Sequence, residues 1–175
     1  VETVVDLAAT NNPAEITTGQ IAQHMGLSQG ALFRHFPTKD AVWGAVMVWT
    51  ADQLNQRLDK ALAKDASPLP ALEAMFMAHV AFAIEYPGVP RMLFGELQKT
   101  ESTPAKIAVA SLLERYGKLL TLKLEQGKSC GEVDCAISID AAVALFVGAV
   151  QGLIIKAVLF GDVGYLHLGA PEAFA

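Results

Sequence analysis

The sequence predicts an all-α fold. Apolar residues recur at helical spacing over long stretches. Gly, Pro and Ser/Thr punctuate those stretches where helix stops and starts belong. Asn-Gly hairpin signals and sustained β-branched alternation are absent from the 175 residues. At 53% hydrophobic and 18% charged residues the chain carries ample material for a core. Its length suits one domain or two closely fused ones.

Val1 to Thr10 reads as a helix with Val4, Val5, Leu7 and Ala8 on its apolar side. Asn11-Asn12-Pro13 ends it, because proline disfavours helix in the residue before it. Thr18 is expected to cap a short helix through Met25, with Gly26 at its C-terminal stop. Ser28 caps a second short helix to about Phe36, and Pro37 ends that one. Thr38 caps a long helix from Lys39 to about Lys64, with Ala41, Val42, Ala45, Val48, Trp49, Leu54 and Leu58 as core candidates. Asp65-Ala66-Ser67-Pro68-Leu69-Pro70 reads as a turn and as the boundary between subregions. Further helices are expected from Ala71 to Glu85, Arg91 to Lys99, Pro104 to Gln126 and Ile137 to Phe160. Tyr86 to Pro90, Thr100 to Pro104 and Gly127 to Gly131 separate them. Gly161 to Ala175 reads as loop, with Pro171 as the start of another helix.

The run from Thr18 to Phe36 carries the most specific pattern. Two short helices that cross steeply need a small residue where they touch, and Ala22 supplies it. The tight turn between them needs a residue tolerant of positive φ, and Gly26 supplies it. Ile21, Met25, Leu27, Leu32 and Phe36 are expected to face inward. That leaves Ser28, Gln29, Gly30, Ala31, Phe33, Arg34 and His35 for the outer and flanking surfaces of the second helix. In a helix-turn-helix that helix enters the major groove of DNA. Gln29 can pair bidentately with adenine, Ala31 can touch a thymine methyl, and Arg34 can reach a guanine or a phosphate. Gly30 permits close backbone approach. Thr18 and Lys39 stand at helix N-termini, where backbone N–H groups favour phosphate. The net charge of −5 opposes nucleic-acid binding by the chain as a whole. Between Thr17 and Lys39, however, stand Arg34, Lys39, His24 and His35 with no Asp or Glu, so the local sign is right.

With its continuation Phe36-Pro37-Thr38-Lys39-Asp40-Ala41-Val42, the run from about Ile16 to Val46 resembles the TetR family of bacterial repressors. The resemblance implies a three-helix DNA-binding domain over residues 1–44 and a helical ligand-binding and dimerisation domain over residues 45–175. It implies a homodimer on a palindromic operator in double-stranded DNA. It also implies an effector pocket among the middle helices, for which Trp49, Met75, His79, Phe82, Phe94, Leu112, Tyr116, Phe146 and Gln151 are candidates. Their character points to an apolar or amphipathic small molecule. By spacing alone the same residues are plain core, and His79 a hydrogen-bonded core histidine. Two positions depart from the family pattern. Phe33 stands where Tyr is usual and has no hydroxyl for a phosphate; Ala31 stands where Thr or Ser is common.

Ala141 to Leu159 is almost continuously apolar, interrupted by Gln151 and Lys156. In a bilayer its Gly148-x-x-x-Gly152 spacing would read as a dimerising span. Following a DNA reader, it reads as a dimer-interface helix with no membrane partner, using Val143, Val147, Gly148, Gln151, Gly152 and Ile155. Two half-sites about one turn, ~34 Å, apart ask for such a dimer. Nucleophile-elbow, phosphate-loop, H-E-x-x-H and dinucleotide motifs are absent, and His24, His35, His79 and His167 are scattered. No enzyme, metal or cofactor is therefore expected. Cys130 and Cys135 make neither a disulfide framework nor a zinc set, and read as two thiols in or near a loop. No basic stretch followed by an apolar run opens the chain, so a cytoplasmic location is expected. The expected function is a DNA-binding transcriptional regulator, a repressor released by a small effector. The alternative is a helical small-molecule or partner-binding protein with weak DNA binding.

Overall fold

The computed structural model describes residues 1–64 and 67–175. Among them are nine helices and no strand, so the all-α class holds. The helices are α1 (Glu2–Thr10), α2 (Thr18–His24), α3 (Gln29–His35), α4 (Lys39–Lys64), α5 (Pro68–Glu85), α6 (Gly88–Leu97), α7 (Pro104–Cys130), α8 (Ile139–Phe160) and α9 (Gly164–Phe174). They form two compact units, Val1–Asp52 with Tyr86–Ser111, and Gln53–Glu85 with Leu112–Ala175.

In the first unit α1 buries Val4, Val5, Leu7 and Ala8, as its pattern requires, and lies against α6. The approach is close at Gly88. A Cβ there would stand 2.0 Å from the Val5 carbonyl oxygen and 2.9 Å from the Ala9 nitrogen. Glycine is thus the residue that lets the two backbones meet. It also opens α6, which starts at Gly88 rather than at the expected Arg91. Pro90 sits in the first turn, where its missing N–H has no intrahelical partner to lose. The start of α4 buries Val42, Trp43, Val46 and Met47, while Val48, predicted in the core, is exposed. Trp43, Val46 and Met47 share a helical face that the sequence reading missed.

A polar cluster ties α4 to α6. Glu96 is buried; it accepts a hydrogen bond from Thr103 Oγ1 at 2.8 Å and pairs with Lys99 Nζ at 2.5 Å. Lys99 also reaches Asp40 at 2.9 Å. Burial by itself lowers the Lys99 pKa, but hydrogen bonds to Glu96 and Asp40 outweigh it and raise the ammonium above its usual value.

In the second unit Phe76, Val80 and Ala83 of α5 pack with Val150, Leu153, Ile154 and Ala157 of α8 and with Leu166 and Ala170 of α9. Three boundaries differ from the sequence reading. First, α5 begins at Pro68, not Ala71. Proline fits the first helical position, and the Leu69 N–H is satisfied by Glu132 Oε2 at 2.9 Å while the Ser67 hydroxyl bonds the same carboxylate. Asp65 and Ala66 of the expected turn lie outside the described residues. Second, α7 runs past Gly127 to Cys130. Gly127 lies within the helix, where a Cβ would meet Val133 Cγ2 at 2.6 Å, and the stop is Gly131, with φ +80°. Third, the tail is not loop: α9 spans Gly164–Phe174 with Pro171 inside it. Gly161, at φ +66°, ends α8, and Asp162 Oδ1 accepts the Tyr165 N–H at 3.2 Å, which starts α9. Burial of Leu166 and Ala170 then holds it in place.

Candidate nucleic-acid interface

The reader begins with a cap one residue earlier than predicted. Thr17, not Thr18, is the N-cap of α2. Its N–H donates to Gln20 Oε1 at 2.7 Å, and Gln20 N–H donates to Thr17 Oγ1 at 3.2 Å, a reciprocal capping box. Gly26 turns the chain at φ +66°, and the Leu27 N–H closes the turn on the Ala22 carbonyl at 2.9 Å. Ser28 caps α3 as predicted, its hydroxyl accepting from Ala31 N–H at 3.2 Å.

Ile21, Ala22 and Leu32 are buried between α2 and α3 and the rest of the first unit. Phe36 is half-buried. Met25 and Leu27, expected inward, are exposed. They flank the αL turn at Gly26, a connection between helices whose side chains stand in solvent. Displacing the cap to Thr17 frees Thr18, whose Oγ1 accepts from Gln29 Nε2 at 3.0 Å. Two residues predicted to approach DNA are thereby joined across the N-termini of α2 and α3. Ser28, Gln29, Gly30, Phe33, Arg34 and His35 are exposed along α3, and Ala31 is half-buried. No atom lies within 4 Å of where a Gly30 Cβ would stand, so that side is open.

Lys39 differs from the other predicted residues. Its Nζ donates to the Ala14 carbonyl at 2.9 Å and the Pro13 carbonyl at 3.3 Å and lies 4.8 Å from the Trp43 ring centre. The ammonium thus ties the α1–α2 connection to α4. At the start of α4 Thr38 Oγ1 accepts from Ala41 N–H at 3.1 Å.

The predicted pocket residues fall in both units. In the first, Trp49 is half-buried with its ring edge-on to Tyr86 at 5.1 Å, and Phe94 is half-buried on α6. In the second, Met75, His79, Phe82, Leu112 and Tyr116 are buried, while Phe146 and Gln151 are half-buried. His79, Tyr116 and Phe146 come together: ring centres lie 5.5 Å apart for the first pair and 6.1 Å for the second.

On α8, Gly148, Gly152 and Ile155 of the predicted interface set are exposed, and Val143, Val147 and Gln151 are half-buried. Ala141, Leu145, Gly148, Gly152, Ile155 and Leu159 are all exposed. At ~100° per residue these six fall within an arc of roughly 80°. Leu145 and Leu159, at 74% and 73% exposure, are its largest members. On α9 Leu168 is 75% exposed. Leu145 and Leu159, absent from the predicted interface set, follow the alternating spacing of four and three along α8, a signal present in the sequence; Leu168, on α9, lies outside it. By length and composition α8 could also cross a membrane. Cys130 ends α7 and Cys135 follows in a turn; both are free and exposed.

A capped α2, an αL glycine turn and an α3 with an exposed polar row define a helix-turn-helix DNA-binding regulator. Residues 2–46 match the model of the bacterial regulatory proteins of the tetR family. That match covers the DNA-binding region, and the likeness of the remaining helices rests on fold. The nucleoid occlusion factor SlmA of Alteromonas mediterranea is 26% identical over 158 residues, 87% of this chain and 80% of that protein. Among solved structures, the transcriptional regulator FadR from Bacillus subtilis in complex with stearoyl-CoA superposes with a TM-score of 0.83 at 15% identity, covering 98% of this chain and 94% of that one. The TetR family transcriptional regulator PfmR from Thermus thermophilus gives 0.79 at 20% identity, covering 99% and 92%.

Proposed function

We propose that the protein is a transcriptional repressor that binds a palindromic operator as a homodimer and releases it when a small apolar or amphipathic molecule enters its helical core. The observation that carries the reading is the exposed row on α3 held by the Thr17 and Ser28 caps and the Gly26 turn. In this reading residues 1–44 bind DNA and residues 45–175 bind the effector and the second copy. Gln29 and Arg34 read bases and Ala31 meets a thymine methyl; Gly30 lets the backbone approach, the helix N-termini at Thr18 and Lys39 face phosphate, and Ser28, Phe33 and His35 flank them. The protein acts in the cytoplasm, where operator DNA is accessible.

A reader with so few cations needs two copies on one site. The apolar arc on α8, with Gly148 and Gly152 allowing close approach, supports a second copy as its occupant rather than a bilayer. Each leucine covered on association contributes about 1.5 kcal/mol or more. The aromatic and apolar residues of the second unit support an amphipathic effector. So does the stearoyl-CoA bound by the FadR of similar fold. Release follows by population shift: effector favours a dimer whose half-site spacing misses the groove period, and DNA weakens effector binding by the same factor.

Footprinting on the DNA upstream of the protein's own gene locates the operator. Gln29→Ala with Arg34→Ala is expected to abolish the mobility shift on that site while circular dichroism stays unchanged. The operator affinity of the parent should fall with salt at a log–log slope near −0.9 per phosphate contact. Phe33, Ala31 and the acidic balance favour the second reading, a helical small-molecule or partner-binding protein with weak DNA binding, and a flat, weak salt response would select it.

A further inference from the structure

Two polar atoms in the second unit are buried without a hydrogen-bond partner among the described residues: Nδ1 of His79 on α5 and Oη of Tyr116 on α7. His79 is 8% exposed and Tyr116 0%. Their ring centres lie 5.5 Å apart. Around them the surface is apolar. Phe146 stands 6.1 Å from Tyr116 and 5.3 Å from Phe76, each edge-on. Met75 lies one helical turn before His79 on the same face.

A buried polar group left unpaired costs about 1–3 kcal/mol. Two such groups side by side, where two phenylalanines would cost nothing, call for a partner. Both groups are neutral. Burial drives the His79 pKa down to about 4 and pushes the Tyr116 hydroxyl up, so neither carries charge near neutrality. Arg115, the cation adjacent in sequence, is held by Asn55 at 2.8 Å and Asp59 at 2.6 Å. A neutral imidazole offers one donor and one acceptor, and a phenol offers both. These groups match a carbonyl or a hydroxyl. A carboxylate or phosphate would instead bring an uncompensated charge into an apolar surrounding.

We propose that His79 and Tyr116 are the polar anchor of the effector site, and that the effector is a neutral molecule with an apolar body and one carbonyl or hydroxyl group. The proposal rests on the effector reading above and adds the chemistry of the head group. The apolar body lies along Met75, Phe76 and Phe146, and the head group accepts from or donates to the imidazole and the phenol.

The test uses the full chain and three probes of one chain length: methyl dodecanoate, dodecanol and dodecanoate. Ester and alcohol are expected to raise the melting temperature and to bind about tenfold or more tightly than the carboxylate at neutral pH, the scale of one charge-free hydrogen-bond pairing. Tyr116→Phe removes one oxygen and is expected to lower ester affinity about tenfold while the fold is kept. His79→Phe is the second variant and should act alike. Equal or tighter binding of dodecanoate overturns the proposal. So does failure of all three probes, or ester affinity unchanged in both variants. Operator release is scored separately against a small-molecule library. If compounds release the parent and both variants with equal sensitivity, the anchor falls and the effector reading stands. If the probes bind with the expected preference but nothing releases operator, the anchor stands and the effector reading falls.

Discussion

His79 titrates near 6.5 in an unfolded chain and at about 4 inside this fold, and replacing it with phenylalanine is expected to flatten the acid side of the stability profile. The cause is burial alone, which penalises the imidazolium. Because the folded value is the lower one, the unfolded chain binds the proton more readily throughout that window. Stability is therefore complete above the unfolded value and is lost as the pH falls from about 6.5 toward 4. Each pKa unit corresponds to about 1.4 kcal/mol, so the whole window is about 3 kcal/mol and the drop between pH 7 and pH 5 about 2 kcal/mol. His79 is buried, so solvent screening takes little from this figure. The assay is urea unfolding of parent and His79→Phe at one protein concentration, at pH 7 and at pH 5, where ordinary carboxylates remain mostly ionised. The parent should lose about 2 kcal/mol more than the variant between the two conditions. Equal losses would refute the reasoning, because no proton would then be excluded from the folded imidazole.

Gly88→Ala should destabilise by about 3 kcal/mol, since its Cβ would strike the α1 backbone, which cannot step aside as a flexible side chain could. Gly95→Ala, on the same helix with open space around it, should stabilise by about 0.5–1 kcal/mol; thermal melts of the pair give opposite signs or the close approach is misread. Glu96→Ala removes the buried partner of Thr103 and Lys99 and should cost about 3 kcal/mol in the same urea titration. Leu145→Glu should shift the sedimenting species to monomer at micromolar concentration and weaken operator binding while leaving the helix content intact; a persistent dimer would exclude the α8 arc as its interface.

Much of the reader was legible because its determinants are local. Ser28, Gly26 and Thr38 act within four residues of themselves, and the chain shows them directly. The slip from Thr17 to Thr18 is a choice between adjacent threonines that only the position of Gln20 resolves. The glycines show where sequence runs out. Gly26 and Gly131 are needed for positive φ, whereas Gly88 and Gly127 are needed for space against Val5 and Val133. Nothing in the letter distinguishes the two uses, so Gly127 passed for a stop. Helix α9 was hidden for a related reason, since Pro171 reads as a start when its partners on α5 and α8 are unseen. The missing partners of His79 and Tyr116 were beyond reach altogether. Hydrogen bonding of a buried side chain is decided by what other helices bring, and spacing along one helix does not contain it.

The bond from Gln29 to Thr18 has a consequence for base choice. A glutamine amide owns two N–H donors and one carbonyl oxygen. Thr18 consumes one donor. What remains is a single donor beside a single acceptor, the complement of adenine's N7 and N6-amino edge, whereas guanine at that edge offers two acceptors. In the proposed reader, a threonine on the supporting helix thus favours adenine over guanine as the base that Gln29 meets.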